Sequence, residues 1–110
     1  MDLNGPNYRF IQICSISEVR PGERIYVELE EKNIVIFNIE SQFYALEDAC
    51  SHDKGPIGSG EVEGLEVICP RHGARFNIQN GKALSMPAVK DIVYYPVRER
   101  EGKIEIGLPK

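Results

Sequence analysis

The chain is short of several things that would otherwise widen its possible roles. It has no tryptophan, two histidines and three cysteines in 110 residues. No apolar stretch approaches the ~20 residues that a membrane-spanning helix needs. The opening Met1-Asp2-Leu3-Asn4-Gly5-Pro6 has no basic stretch leading into an apolar run, so neither a signal peptide nor an anchor is expected. Basic charge is also scarce, with 13 Lys and Arg against 17 Asp and Glu and a net charge of −4, which argues against nucleic-acid binding. Three cysteines allow at most one disulfide, and none if two of them serve a metal, so a reducing, cytoplasmic setting is expected. No glycine-rich phosphate motif or dinucleotide fingerprint is present. The length suits one domain spanning residues 1–110, with no room for a second catalytic unit.

Against this scarcity, the placement of the histidines is informative. Both follow a cysteine closely, as Cys50-Ser51-His52 and Cys69-Pro70-Arg71-His72. A centre with two thiolates and two imidazoles would use Cys50, His52, Cys69 and His72, leaving only Cys14 outside. Cys14, in Phe10-Ile11-Gln12-Ile13-Cys14, reads as a small buried hydrophobe.

The order of donors bears on the metal. Structural zinc sites usually draw like ligands from each knuckle, whereas here each loop brings one sulfur and one nitrogen. Two sulfide-bridged irons, with cysteines on one and histidines on the other, need such mixed loops. A mononuclear zinc holding together an interaction domain stays as the alternative. Either centre consumes both histidines. None then remains for a mononuclear oxygenase iron or for the base of a nucleophilic hydrolase, so the chain is not expected to be an enzyme on its own.

The rest of the sequence reads as β-structure. Strands are predicted over 24–29, 33–39, 43–46, 65–68, 74–78, 82–84, 92–97 and 103–106, with one short helical turn at 15–19. Asn80-Gly81 predicts a tight hairpin, and Ser41-Gln42 a second turn. This gives an all-β chain: an antiparallel sandwich or barrel base with a small inserted β subdomain at about 48–84 that carries both loops. Gly55, Gly58, Gly60 and Gly73 would let the backbone approach the site closely. Asp53, Lys54, Arg71 and Arg75 flank the ligands and are read individually as solvated side chains.

The segments Cys50-Ser51-His52 and Cys69-Pro70-Arg71-His72-Gly73 resemble the two cluster loops of Rieske-type iron–sulfur proteins, best of all the small soluble Rieske ferredoxins, from about Phe10 to Ile106. The resemblance implies a Rieske [2Fe-2S] cluster on Cys50, His52, Cys69 and His72. It also implies a one-electron carrier between an NAD(P)H-dependent ferredoxin reductase and a terminal oxygenase or other redox acceptor, with no membrane attachment. A small subunit of an assimilatory nitrite reductase resembles these ferredoxins too and is the second reading. Ser85-Met86-Pro87-Ala88 resembles the family's third, proline-bearing loop. High-potential members place a serine and a tyrosine where this chain has Ala74 and Phe76, and a loop-to-loop disulfide where it has Gly55 and Arg71. The chain is therefore expected to have a low potential.

Overall fold

The computed structural model describes residues 7–51, 54–86 and 90–110. Its organisation follows from one strand, Lys32–Ile39, whose four consecutive apolar residues cannot all face one side of a sheet. Side chains alternate across a strand, so Ile34 and Ile36 point one way and Val35 and Phe37 the other, and all four are at most 1% exposed. Something must cover each face.

Three antiparallel sheets do so. In chain order the strands are β1 (Tyr8–Ser15), β2 (Arg24–Leu29), β3 (Lys32–Ile39), β4 (Gln42–Glu47), β5 (Val62–Glu63), β6 (Glu66–Ile68), β7 (Arg75–Asn77), β8 (Tyr94–Tyr95), β9 (Val97–Arg100) and β10 (Lys103–Pro109). The sheets run β1-β10-β9, β2-β3-β4-β8 and β5-β6-β7. Ile34 and Ile36 join Val19, Ala45, Tyr95, Ile104, Ile106 and Leu108 in a base core between the first two sheets. Val35 and Phe37 join Leu46, Ile57, Val67, Phe76, Ile78, Ile92 and both Cys50 and Cys69 in a second core under the third sheet. The predicted antiparallel base with an inserted small sheet is what the strand order shows.

Several local features differ from the sequence expectation, each for a physical reason. The β1 strand was not expected, because Phe10–Cys14 does not alternate. A bulge between Gln12 and Cys14 breaks the register against β10, so that Ile11, Ile13 and Cys14 all pack on the base core. Cys14 is half-buried there, and burial, followed by the Glu18 carboxylate, pushes its thiol pKa up. The predicted single strand over 92–97 is two strands. Tyr94 and Tyr95 pair with β4, Pro96 lacks the N–H that a ladder requires, and Val97 onward pairs with β10. Proline thus carries the chain from one sheet to the other, and its carbonyl accepts from Gly107 N–H at 2.8 Å.

Turns show the same contest between local preference and topology. The hairpins β2–β3, β3–β4 and β9–β10 close through two left-handed residues each: Glu30-Glu31, Glu40-Ser41 and Glu101-Gly102. Such turns match strand twist. Asn80-Gly81, the strongest hairpin dipeptide in the chain, instead ends a wider loop in which only Gly81 is left-handed. Asn77 N–H donates to Lys82 C=O at 2.9 Å across that loop, and residues 82–84 contribute only a bridge from Ala83 to Phe76. The expected helical turn is a 3₁₀ turn, Ile16–Glu18, with Ser15 and Glu18 forming a capping box. Asn38, the buried polar residue of β3, is satisfied: its side-chain N–H donates to Val19 C=O at 2.7 Å and its Oδ1 accepts from Ser41 N–H at 2.8 Å.

Two outcomes are expected. Phe37→Ala should destabilise the protein by about 3–5 kcal/mol in urea unfolding, as removal of a fully buried aromatic does. Burial, and next the Glu47 carboxylate, raise the Tyr95 phenol pKa above its ordinary 10.0. Its neutral form is therefore favoured by folding: the contribution is complete below about pH 10 and is lost as pH rises through the raised folded value. Tyr95→Phe should flatten that alkaline fall in stability, measured by denaturant midpoints across the range.

Candidate metal centre

Both cysteine loops are built on one backbone plan. In the first, Cys50 N–H donates to Gly55 C=O at 2.7 Å and Lys54 N–H to Cys50 C=O at 2.7 Å. In the second, Cys69 N–H donates to Ala74 C=O at 2.7 Å and Gly73 N–H to Cys69 C=O at 3.0 Å. The offsets from cysteine are the same, and the residue four positions on is left-handed in both, with φ 64° at Lys54 and 77° at Gly73. Glycine suits that conformation and lysine does not, so the second loop closes without the backbone strain of the first.

Cys50 is reached directly from β4, and Cys69 directly from β6. Neither is in a disulfide, and both are almost wholly buried, at 0% and 1% exposure, within one apolar cluster that includes Ile57 and Ala74. His72, three residues beyond Cys69, is exposed. His52 and Asp53 lie outside the described residues, as do Pro87 and Ala88 of the expected third loop and the first six residues. Ser85 and Met86 are described: Ser85 Oγ accepts from Arg75 N–H at 3.1 Å, and Met86 stands 75% exposed.

Among the described residues, no three histidine, cysteine, aspartate or glutamate side chains converge on a point that would hold one ion. A centre in which two sulfurs hold one metal and two imidazoles another does not demand such a convergence. Two buried thiols with a solvent-facing imidazole on the same loop fit a group that is sulfur-bound inside and nitrogen-bound outside. A hollow of about 510 Å³ is walled by residues including Pro21, Arg24, Phe37 and Glu61 and by no residue of either cysteine loop.

Three contacts that the sequence did not announce hold the frame. Asp48 Oδ1 accepts from Ile57 N–H at 2.9 Å and Gly58 N–H at 2.7 Å, fixing the segment that follows the first loop. From β2, Arg24 donates to Gly58 C=O at 2.5 Å and Gly60 C=O at 2.7 Å while its guanidinium lies 5.2 Å from the Phe37 ring centre. Base and insert are thereby tied by charge-assisted bonds as well as by apolar contact. The third is Arg71, whose guanidinium donates to Pro56 C=O at 2.7 Å and lies 3.4 Å from Cys69 Sγ. Arg75, read from the sequence as solvated, bridges Glu63 at 2.9 Å and Glu66 at 3.2 Å, and those bonds, Glu63 first, raise its pKa further. Asp48 stands two residues before Cys50 and could have been suspected on that ground. Nothing local distinguishes Arg24.

Comparison with known proteins agrees with the geometry. The model of the Rieske [2Fe-2S] domain family matches residues 9–96. The ferredoxin component of the naphthalene 1,2-dioxygenase system of Pseudomonas putida is 31% identical over 100 residues, covering 91% of this chain and 96% of that one. The 3-phenylpropionate/cinnamic acid dioxygenase ferredoxin subunit of Escherichia coli strain K12 is 37% identical over 101 residues, covering 91% and 94%. Among solved structures, the complex of reduced oxygenase and oxidized ferredoxin in carbazole 1,9a-dioxygenase matches with TM-score 0.84 at 27% identity, over 92% of this chain and 94% of that chain. The Sphingomonas yanoikuyae B1 ferredoxin matches with TM-score 0.83 at 26% identity, over 92% and 100%.

Removing the Asp48 carboxylate strands two amides. Asp48→Ala is expected to lower stability by roughly 2–4 kcal/mol, and Asp48→Asn, which keeps an acceptor oxygen, by less than half as much. Parallel denaturant titrations of the two variants check the ordering.

Proposed function

Since the chain belongs to the Rieske [2Fe-2S] family, we propose that it is a freely diffusing shuttle that takes electrons from an NAD(P)H-dependent flavin reductase and delivers them to a terminal oxygenase or a similar acceptor. The family assigns the cofactor, a Rieske-type [2Fe-2S] cluster, and the electron-carrier role. The observation that carries the reading of a separate shuttle is the near end-to-end match to ferredoxin components of dioxygenase systems. Their length favours a free carrier over a bound subunit of a nitrite reductase, and membership of an iron–sulfur family replaces the zinc alternative.

Cys50 and Cys69 would hold one iron, and His52 and His72 the other, within a cluster-bearing lobe of about 48–84 in a single domain. What supports this is the shared plan of the two loops, the burial of both thiols in one core and the exposure of His72. When bound, the cluster takes up and gives back one electron at a time. The chain contributes a stiff seat: Asp48 and Arg24 fix residues 57–60, and the paired hydrogen bonds close each cysteine loop, so the ligand frame has little to rearrange between redox states. His72, an exposed residue, would with His52 mark the end of the molecule offered to a partner. A ferredoxin of similar fold has been captured on the oxygenase of the carbazole system, and a terminal oxygenase is the corresponding partner here. No helix of the described residues is long and apolar enough to cross a membrane, and no cysteine is spent on a disulfide, which suits a cytoplasmic carrier.

The potential follows from missing donors. Ala74 and Phe76 are both fully buried and have no hydroxyl to offer a cluster sulfur. Hydrogen bonds to the sulfurs favour the reduced, more negative state, so their lack lowers the potential.

Dithionite-reduced protein is expected to give the EPR spectrum of a mixed nitrogen- and sulfur-ligated binuclear centre. Its midpoint should lie toward the lower end of the roughly −150 to +300 mV span of such centres. Ala74→Ser should raise that midpoint in voltammetry. Colourless, iron-free protein after anaerobic reconstitution would refute the assignment.

A further inference from the structure

Arg71 follows Cys69 by two residues but lies across the other loop. Its Nη1 donates to Pro56 C=O at 2.7 Å, and its Nη2 lies 3.4 Å from Cys69 Sγ. Between these contacts the guanidinium passes directly over Gly55: a Cβ on that glycine would stand 2.7 Å from Arg71 Cζ and 2.8 Å from Nη2. Gly55 is also the residue whose carbonyl closes the first loop onto Cys50 N–H. A single planar cation thus rests on the closure of one loop while pointing a donor at the sulfur of the other.

We propose that Arg71 is a non-covalent clip between the two cysteine loops and, through its contact with Cys69 Sγ, a positive contribution to the cluster's midpoint potential. The inference rests on the cluster reading above. A fixed positive charge beside a thiolate ligand stabilises the extra electron of the reduced state. Only a forked donor does both jobs, since an ammonium acts as one point charge. Gly55 is required because any side chain there would occupy the space of the guanidinium. Its φ is not left-handed, so the backbone tolerates alanine there, and the added methyl would push aside the guanidinium, the far end of a flexible side chain. Arg71 is an exposed residue, and solvent screens its charge, which limits the expected effect to about one decade.

The test uses reconstituted holoprotein of the wild type, Arg71→Met, Arg71→Lys and Gly55→Ala, each checked by EPR and then measured by film voltammetry. Arg71→Met should lower the one-electron reduction constant about tenfold, or ~59 mV. Gly55→Ala, which leaves Arg71 in the chain but displaces it, should shift the midpoint in the same direction. Arg71→Lys should recover less than half of the loss. A wild-type midpoint in either Arg71→Met or Gly55→Ala overturns the proposal, as does full recovery in Arg71→Lys. If Arg71→Met fails to load, Gly55→Ala still decides. Absence of the cluster signal from the wild type would instead refute the cluster reading on which the inference stands.

Discussion

A strand with apolar residues on both faces cannot lie on a molecular surface, and that constraint shapes this protein. Residues 34–37 are covered on one side by β10 and on the other by the insert that carries the cysteine loops. The metal-binding part is therefore not an appendage. Its core and the base core share β3 as a common wall, and Cys50 and Cys69 pack in the same cluster as Val35 and Phe37. Arg24 strengthens the joint, because it spans from the Phe37 ring to the carbonyls of Gly58 and Gly60.

On that wall two like loops are mounted. Each is closed by the same pair of backbone bonds, so position and orientation of the cysteines come from main-chain geometry, while the intervening residues are left to differ. Those residues do differ: a histidine two positions after one cysteine, three after the other, and an arginine in the second loop only. Main chain supplies the frame and the side chains set the loops apart: Ala74 and Phe76 have no hydroxyl, and the Arg71 guanidinium lies 3.4 Å from Cys69 Sγ.

Much of this was legible in the sequence, for reasons that can be named. The ligand pattern stood out because histidine is so scarce that its two placements beside cysteine carry information. Strands β2, β3 and β4 were readable from alternation and β-branched density. The β1 strand was not, because its bulge destroys the period that sequence reading relies on, and β8 and β9 merged because a proline between them was taken as internal to one strand. Turn chemistry was an incomplete guide. Asn80-Gly81 had the right residues for a tight hairpin but a wider loop formed. Glu30-Glu31 had no favourable residue, yet the register of β2 against β3 forces it left-handed. The contacts of Asp48, Arg24 and Arg71 depend on segments distant in sequence meeting in space, and no local pattern encodes them.

In the first sheet β9 is an outer strand. The β9 edge reads Val97-Arg98-Glu99-Arg100, three charges in four residues, and Arg98 there is held by Glu105 at 2.6 Å and stacked 3.9 Å from the Phe10 ring centre. An incoming strand would have to bury those charges to extend the sheet. The charged edge thereby resists polymerisation of the protein through its own β-structure.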